Sequence, residues 1–204
     1  SFVTTDNTLD FFDIVNDIST LNPNRSNQFI YKENVNAGYL NYNRTYKKMN
    51  FQFGLRVENT NSDGKLNALI ASNNERVKRN YTDFFPSGGV TYNMNDKNAF
   101  AMTYSRRIER PNYESLNPFE YQLDELSFMR GNPFLKPQYT DNLKFSHTYN
   151  YTLNTSISYT HVSDYFAQVI EAAGPSRSFL TSRNVASQQV INIGVSYPFE
   201  VKKW

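Results

Sequence analysis

Hydrophobic and polar positions alternate one for one in several stretches of the chain. Between residues 49 and 58, every second residue is apolar and the residues between are polar or glycine. A similar pattern recurs at 191–197 and, with Ala101 and His147 as exceptions, at 100–105 and 143–149. A period of two is the signature of a β-strand whose two faces have different surroundings. The alternation predicts strands, each antiparallel to its neighbour in sequence, near 31–45, 49–62, 82–94, 98–109, 138–149, 152–171 and 183–197.

The connections between these predicted strands are short and long in strict alternation. The short ones are polar turns, which suit β-hairpins. Outer-membrane barrels have short periplasmic turns and long outer loops, whereas nothing in a soluble sheet requires short and long connections to alternate. The pattern therefore predicts an all-β fold, a segment of a transmembrane antiparallel up-and-down β-barrel with about seven strands. The short turns lie at 46–48, 95–98 and 150–151, and the long connections at 59–80, 109–137 and 172–182.

Each predicted strand has one apolar face and one polar face. Backbone groups inside a bilayer must all be paired, so an apolar band belongs on the outer face of a closed barrel. The residues predicted to face lipid are Phe51, Phe53, Leu55, Phe100, Met102, Leu143, Phe145, Ile157, Ile191, Ile193 and Val195.

The two ends of the chain differ from its middle. Residues 1–28 do not alternate, and we interpret them as an extracellular loop entering the first strand, with a helical turn at 10–15. The first residues lack the basic and apolar regions of a signal peptide. The last eight residues are typical of a turn followed by the start of a strand. We therefore expect residues 29–204 to be a partial barrel, truncated at both ends and lacking a plug domain.

Composition narrows the class of protein. Aromatic residues make up 16% of the chain, and the mean hydropathy is -0.65. No apolar run approaches the roughly 18 residues of a membrane-spanning helix. Barrel strands contact lipid only at alternate positions, so low hydropathy is compatible with them. Composition alone also allows a soluble all-β domain, because aromatic residues and threonine favour strands in any setting.

Several spaced motifs resemble one protein family. The long connection contains YSRRIERPNY at 104–113, LNPF at 116–119 and GNPFLKPQYTDN at 131–142. Earlier strands contain YKENVNAGYL at 31–40 and GLRVE at 54–58. In this order the motifs closely resemble the barrel of TonB-dependent outer-membrane receptors of the Bacteroidetes type, from about residue 29 to residue 204. Two positions depart slightly, with Gln138 for the usual Glu and Val57 for the usual Tyr.

The resemblance implies a barrel of about 22 strands plugged by an upstream domain. Such receptors import a nutrient ligand into the periplasm of a Gram-negative bacterium. The implied partners are outer-membrane lipid and lipopolysaccharide, the plug domain and the TonB complex through the missing N-terminal part, and in one branch a lipoprotein lid. Arg56, Glu58 and Lys144 are expected to face the lumen and pair with neighbours or with the plug. Two alternatives are a small complete structural or adhesin barrel and a soluble all-β binding module.

Positive charge collects near the predicted barrel rim, in and around the long connection. One interpretation is binding of an anionic ligand or a lipopolysaccharide phosphate. The other, which we favour, is structural pairing with Glu109, Glu114, Asp124 and Glu125. The four prolines of this region lack an N–H and stop strand pairing, so they indicate a rigid loop. The candidate ligand-rim or loop-structuring residues are Arg107, Arg110, Tyr113, Asn117, Arg130 and Lys136.

Other chemistry finds little support in the sequence. The chain has no cysteine and a net charge of +2, which offers neither a thiolate site nor a nucleic-acid footprint. Residues 59–64 partly match a calcium loop, but Ile70 stands where a bidentate Glu is needed, so we expect a plain turn there. His147 and His161 are isolated. We therefore predict no catalytic, cofactor or metal site, and a protein that is not an enzyme.

Overall fold

Strands dominate the structure, a computed structural model that describes residues 1–70, 74–172, 174 and 177–199. Ten of the strands form one sheet in the order β1-β4-β5-β6-β7-β10-β11-β12-β9-β8, and β2 and β3 form a separate hairpin. The strands are β1 (Phe2–Leu9), β2 (Phe12–Val15), β3 (Ile18–Leu21), β4 (Asn27–Tyr46), β5 (Met49–Ala68), β6 (Glu75–Asn95), β7 (Asn98–Glu109), β8 (Glu120–Gln122), β9 (Ser127–Arg130), β10 (Gln138–Tyr149), β11 (Leu153–Ala172) and β12 (Ser178–Ser196); the one described helix is α1 (Tyr113–Leu116).

The seven predicted strands are confirmed. They are β4, β5, β6, β7, β10, β11 and β12, and each pairs antiparallel with the next of the seven in sequence. The sheet they form is curled, as the wall of a barrel is. No helix among the described residues is long and apolar enough to cross a membrane.

The strand register places the apolar residues in continuous rows on one face. Residues that are Cα partners across antiparallel strands point to the same side of the sheet. All eleven residues predicted to face lipid fall on these rows. The other face at Arg56 and Glu58 packs against the long connection, so the apolar rows lie on the outward side. Two such rows are Tyr42, Phe53, Gly88, Tyr104, Leu143, Tyr159 and Ile191, and Phe51, Val90, Met102, Phe145, Ile157 and Ile193, the second of which ends at Arg44 on β4.

Several strands continue far beyond the apolar rows, on the side away from the short turns. We call this side the long-loop end and the other the short-turn end. The predicted connections 59–80 and 172–182 are wrong in their extent, because β5, β6, β11 and β12 run through most of both. The turn predicted at residues 59–64 is wrong too, because that segment lies inside β5. Residues 58–63 of β5 are polar on both faces, so the apolar period that marks the membrane-level part of the strand stops there.

The first 28 residues contain strands within the segment that we interpreted as a loop. β1 pairs with residues 27–34 of β4 at the long-loop end. The helical turn predicted at residues 10–15 is wrong, because β2 and β3 form a hairpin here. Asn16 and Asp17 have φ of 50° and 61° at its tip. Two consecutive positive φ values define a type I′ turn, for which Asn and Asp are favoured.

β7 and β10 step inward at the long-loop end. β7 pairs with β6 only from Ser105, opposite Ser87, towards the short turn, and Pro86 stands just beyond this point. A proline is tolerated where a ladder ends because it has no N–H to donate. Beyond it, the Tyr139 hydroxyl of β10 donates to Asp83 Oδ2 of β6 at 2.9 Å. Asp83 shares the inner face of the wall with Glu58. The outer ends of β7 and β10 therefore lie against that inner face.

At the level of the apolar rows, the described sheet has two open edges. β1 covers only residues 27–34 of β4, and β9 covers only residues 178–180 of β12. The short-turn halves of β4 and β12 pair with no further strand among the described residues, nor with each other.

Candidate ligand-binding mouth

The segment between β7 and β10, residues 110–137 and here called the long loop, lies across the concave side of the sheet. On one side, Arg79 of β6 donates to the carbonyl oxygens of Leu135 at 2.6 Å and Pro133 at 3.1 Å. On the other side, the Asn132 side chain donates to the carbonyl of Ser182 of β12 at 3.0 Å. The loop therefore bridges two distant parts of the wall at the long-loop end.

The long loop is rigid because it has its own small core and caps. Asn112 caps helix α1 by accepting the backbone N–H of Ser115 at 2.8 Å. The carbonyl of Asn117 accepts the N–H of Gly131 at 2.9 Å. A Cβ on Gly131 would lie only 2.3 Å from that carbonyl oxygen, so only glycine fits. The apolar side chains buried in and around the loop are Leu116, Phe119, Phe128, Leu135 and Phe29.

A buried charge cluster fixes the start of the long loop to β5. Arg110 Nη2 donates to Glu58 Oε2 at 2.7 Å and to Thr60 Oγ1 at 2.9 Å. Glu58 is 7% exposed, and Arg56 Nε lies 3.2 Å from its other oxygen. The Arg56 guanidinium also stacks 4.6 Å from the centre of the Phe85 ring. The predicted pairing of Arg56 and Glu58 with neighbours is thus present.

Three of the four rim arginines, Arg106, Arg110 and Arg130, form ion pairs, but with carboxylates other than those predicted. Arg130 lies 3.6 Å from Glu120, and Arg106 lies 3.8 Å from Asp141. None of the described ion pairs uses the predicted Glu109, Glu114, Asp124 or Glu125. Asp141 lies on β10, next to β7, whereas Glu120 faces Arg130 across the β8–β9 hairpin within the long loop itself.

Asp124 has a different role from the pairing predicted for it. Its Oδ1 accepts the backbone N–H groups of Leu126 at 2.9 Å and Ser127 at 2.8 Å. The hydrogen bond from the Leu126 backbone, with those from Ser127, holds the pKa of Asp124 below its ordinary value. This carboxylate shapes the turn between β8 and β9.

Three of the six candidate site residues line one cavity of about 540 Å³, here called the tyrosine cavity: Tyr113, Asn117 and Arg130. The Tyr113 hydroxyl is buried without a well-formed hydrogen bond to any described residue. Burial raises the pKa of Tyr113 above its ordinary value. The other lining residues are mostly amides and hydroxyls: Asn7, Asn112, Glu114, Ser115, Tyr121, Met129, Gly131, Gln168, Leu180, Thr181 and Ser182.

The other three candidates lie elsewhere. Arg110 is held by Glu58, as described above. Arg107 is exposed on β7 and takes part in no described ion pair. The backbone N–H of Lys136 donates to Asn184 Oδ1 at 2.9 Å, which fixes the end of the loop to β12.

A second cavity of about 850 Å³, here called the arginine cavity, lies beside the first. Arg130, Gly131 and Thr181 line both cavities. Arg25 is the residue that sequence reasoning missed, and nothing in the sequence around it signals its position. The remaining lining residues come from three walls: Asn24, Asn27, Leu66, Ala68 and Glu75; Pro118, Glu120, Asn132, Pro133, Phe134 and Lys136; and Asp164, Glu171, Arg183 and Asn184.

Metal chemistry finds no support in the described part of the chain. No group of three or more histidine or acidic residues there could hold a metal ion. His147 instead lies on the outward face, where its Nε2 is 2.9 Å from Asn98 Oδ1 and its ring stacks 4.6 Å from that of Phe100.

A curled antiparallel sheet with an outward apolar band, short turns at one end and a loop folded into the other defines the wall of a membrane β-barrel. The family model described as the outer membrane protein beta-barrel family matches residues 1–204, and the chain belongs to that family. It is an integral β-barrel component of the outer membrane. No curated protein matches the sequence.

Solved structures share the fold. The Serratia marcescens hemophore receptor HasR, solved with its hemophore HasA and heme, is 14% identical with a TM-score of 0.65, over 95% of this chain and 38% of that chain. The copper transporter OprC is 18% identical with a TM-score of 0.50, over 94% and 30%. Both are TonB-dependent receptors, whose barrel the sequence motifs resemble. At these identities the likeness shows the fold alone, and the chain spans less than two fifths of either protein.

Proposed function

We propose that the chain is part of the barrel of a TonB-dependent outer-membrane receptor that imports a nutrient ligand into the periplasm. The observation that carries this proposal is the long loop, which folds into the concave side and borders two cavities at the mouth. A barrel that served only as a wall or a membrane anchor would not need a rigid, internally capped loop beside open cavities. Binding residues are commonly held on such loops by a rigid scaffold.

The residues of the inner wall at the level of the apolar rows support the proposal that a hydrated solute passes through the barrel. The wall presents hydroxyl and amide groups and a single lysine in one row across five strands, as a water-filled or plugged lumen requires. The same surface suits contact with a plug domain, which we propose lies upstream together with the segment that contacts TonB. That row consists of Gly89, Thr103, Lys144, Ser158 and Asn192.

Two alternatives are weaker. A soluble binding module does not account for the outward apolar rows or for membership of an outer-membrane family. A small complete barrel would need β4 and β12 to pair with each other along their short-turn halves, and they do not pair in the described sheet. The described residues include no constellation of side chains that would support an enzymatic role. We therefore propose a receptor. Contacts with lipopolysaccharide and with a lipoprotein lid belong to this proposal.

Uptake by whole cells tests the proposal. Cells with and without the full-length gene would be given a defined mixture of nutrients, and the depletion of each component would be measured. We expect at least one component to be depleted only when the gene is present, and a protonophore that removes the energy source of TonB should abolish the difference. Equal depletion in both strains, or depletion that a protonophore leaves unchanged, would refute the receptor function.

A further inference from the structure

We propose that the outward face of β4, β5 and β6 at the long-loop end binds lipopolysaccharide, whose phosphorylated inner core is held by a cluster of lysines. This inference rests on the proposed function, of which contact with lipopolysaccharide is a part, and gives that contact a place on the molecule. It depends on the position of the barrel in the outer membrane and not on which nutrient is imported. Apolar, amide and cationic rows follow one another along these strands in the order that such a lipid requires.

The outward face changes from apolar to amide side chains above the apolar rows. The last apolar pair consists of Val57 and Phe84, and Phe84 is 58% exposed. The next two rows on this face are Asn36, Asn59 and Thr82, and Asn34, Asn61 and Asn80. Asn59 Nδ2 donates to Asn80 Oδ1 at 3.2 Å and to Thr82 Oγ1 at 3.0 Å, so these groups are oriented side by side. Amides offer both donors and acceptors, as binding to the hydroxyl groups of sugars requires.

Cations occupy the outward face beyond the amide rows. Lys32, Asp63 and Lys78 form one row, and Lys65 and Arg76 are Cα partners in the next. Partners on neighbouring strands have Cα atoms about 4.5–5.5 Å apart, so these five residues form one cluster, here called the lysine cluster. The cluster begins roughly 15 Å above the last apolar pair, at about 3.4 Å per residue and a strand tilt of about 40°.

Both carboxylates described on this part of the outward face already accept hydrogen bonds. Asp63 accepts Arg76 Nε at 2.9 Å and Arg76 Nη2 at 2.6 Å. Asp6 lies at the edge of the cluster on β1 and accepts Gln28 Nε2 at 2.8 Å. Four cations and two carboxylates leave an excess of two positive charges on the outward face.

The three lysines of the cluster carry the unbalanced charge. Lys32, Lys65 and Lys78 are exposed and take part in none of the described ion pairs. Like charges on adjacent strands repel one another, and a bound anion relieves this repulsion. An ordinary hydrated face of mixed charge would pair such lysines with carboxylates across the strands. The lysine cluster is therefore suited to phosphate and carboxylate groups of a ligand.

A groove of about 460 Å³ crosses the lysine cluster. The outward-facing residues that line it are Phe2, Lys32, Asn34, Asn61, Asp63 and Lys78. The groove thus combines an aromatic ring, amides and cations, which suit the ring, the hydroxyl groups and the phosphate of a phosphorylated sugar. Its volume lies within the range of about 300–1,000 Å³ that is usual for small-ligand sites.

The order of the rows favours lipopolysaccharide over phospholipid. The long-loop end faces the outer leaflet, because the short turns of outer-membrane barrels are periplasmic. Lipopolysaccharide presents acyl chains, then sugars, and then inner-core sugars that carry phosphate and carboxylate groups. A phospholipid has its phosphate directly above the acyl chains, where this face offers amides. Cations that begin roughly 15 Å above the last apolar pair therefore match the inner core of lipopolysaccharide.

The experiment uses the full-length protein, immobilised in detergent and stripped of bound lipid, and measures the lipid that it retains after washing. The probes are rough lipopolysaccharide with a phosphorylated core, deep-rough lipopolysaccharide that lacks the phosphorylated part of the core, and phosphatidylglycerol. We expect rough lipopolysaccharide to be retained about ten-fold more than phosphatidylglycerol, and more than the deep-rough form. Equal retention of the rough form and either other probe would overturn the inference.

Variants locate the binding. Lys32→Gln combined with Lys78→Gln should lower the retention of rough lipopolysaccharide about ten-fold. Asp63→Asn releases Arg76 and should raise retention, which a purely structural role of Asp63 would not produce. Arg44→Gln is the matched control, since Arg44 is an exposed cation on the same outward face of β4 but close to the short turn.

Unchanged heat-modifiable gel mobility would show that each variant is folded. Full retention by the double lysine variant, an equal loss in Arg44→Gln, or no gain in Asp63→Asn would each contradict the assigned site.

The inference and the receptor function fail separately. Protonophore-sensitive uptake by whole cells without selective retention of rough lipopolysaccharide would refute the lipid site and leave the receptor function standing. Selective retention without such uptake would do the reverse.

Discussion

The pair formed by Arg110 and Glu58 fixes the long loop to the wall at the point where the loop begins. Glu58 is almost wholly buried and Arg110 partly so, with side-chain exposures of 8% and 22%. Removing Arg110 takes away the closer of the two cations beside Glu58 and leaves only Arg56 to compensate this carboxylate in a poorly hydrated site. The cost is greater than for a surface ion pair, whose contribution is about 0–1 kcal/mol.

We predict that Arg110→Met in the full-length protein destabilises the closed loop by about 2–3 kcal/mol, a figure reduced from the fully buried case for the exposure of Arg110. Proteolysis of the loop in outer-membrane vesicles should then be about 30- to 150-fold faster, where cleavage follows the open population. Adding Glu58→Gln should cost less than it costs alone, because the carboxylate that Arg110 compensates is then gone and only the pairing with Arg56 is lost. Two fully additive losses would show that the residues do not act as a pair.

Gly131 offers a sharper test of the loop. A Cβ here would meet the backbone of Asn117 and Glu114 at 2.3 to 2.8 Å, and backbone cannot move aside cheaply. We predict that Gly131→Ala opens the loop to protease and removes binding at both cavities. Gly38→Ala is the matched control, because a Cβ at Gly38 meets nothing within 4 Å. Equal protease resistance of the two variants would contradict the assigned packing.

At the residue scale, sequence reasoning found individual candidates but not their neighbours. Tyr113, Asn117 and Arg130 do share a cavity, and Glu58 does pair with Arg56. The pairing of Arg110 with Glu58 joins positions far apart in the chain, and loop spacing carries no information about it. Arg25 was missed for the same reason, since its aromatic neighbours come from β9 and from the segment before β2.

At the scale of elements, the facing of the strands is the property most open to test. Leu55 lies on the outward rows and Arg56 on the inner wall, although they are adjacent in β5. We predict that a spin label at position 55 is relaxed by a lipid-soluble quencher and that a label at position 56 is not. Equal access at the two positions would overturn the facing assignment.

A charged substitution tests the same facing through its effect on the free energy of unfolding. Ile157→Lys places an ammonium in the middle of the apolar rows, which should cost about 2–4 kcal/mol. Ser158→Lys, one residue along β11 on the inner wall, should cost far less. The comparison is the urea midpoint of the full-length protein refolded in lipid vesicles. Similar midpoints would show that β11 does not present residue 157 to lipid.

Elements were predicted well where a bilayer imposes two different surroundings, and poorly where it does not. The period of two revealed β5 up to residue 62, but residues 58–63 are polar on both faces and hide the rest of the strand. The β2–β3 hairpin was missed although it carries a signal, the pair Asn16-Asp17 between runs of strand-forming residues. Helix α1 has only four residues, too short for any helical period to appear.

At the scale of the whole molecule, the open edges of β4 and β12 determine whether residues 1–204 can fold as a monomer on their own. Each unpaired backbone group in hydrocarbon costs several kcal/mol, and in water an open edge invites pairing with another chain. Closing so few strands on themselves would also demand a tighter curvature than that of a large barrel. Residues 1–204 alone should therefore not form a stable monomeric barrel.

Refolding of residues 1–204 in detergent tests this prediction. We expect oligomers or aggregates by light scattering, and no shift of gel mobility on heating. A monodisperse monomer whose mobility changes on heating would refute it. Such a result would favour the small complete barrel over the receptor.

The long outer halves of β4, β5 and β6 also determine which part of the protein is most exposed at the cell surface. From Val57 to Ala68, β5 continues past the apolar rows, roughly 30 Å along the membrane normal at about 3.4 Å per residue and a tilt of about 40°. That height exceeds what a tight surface turn would reach. Antibodies and bacteriophages that approach an intact cell would therefore meet the β5–β6 ridge before they meet the mouth, so changes in its polar residues can alter immune and phage recognition while the cavities stay intact.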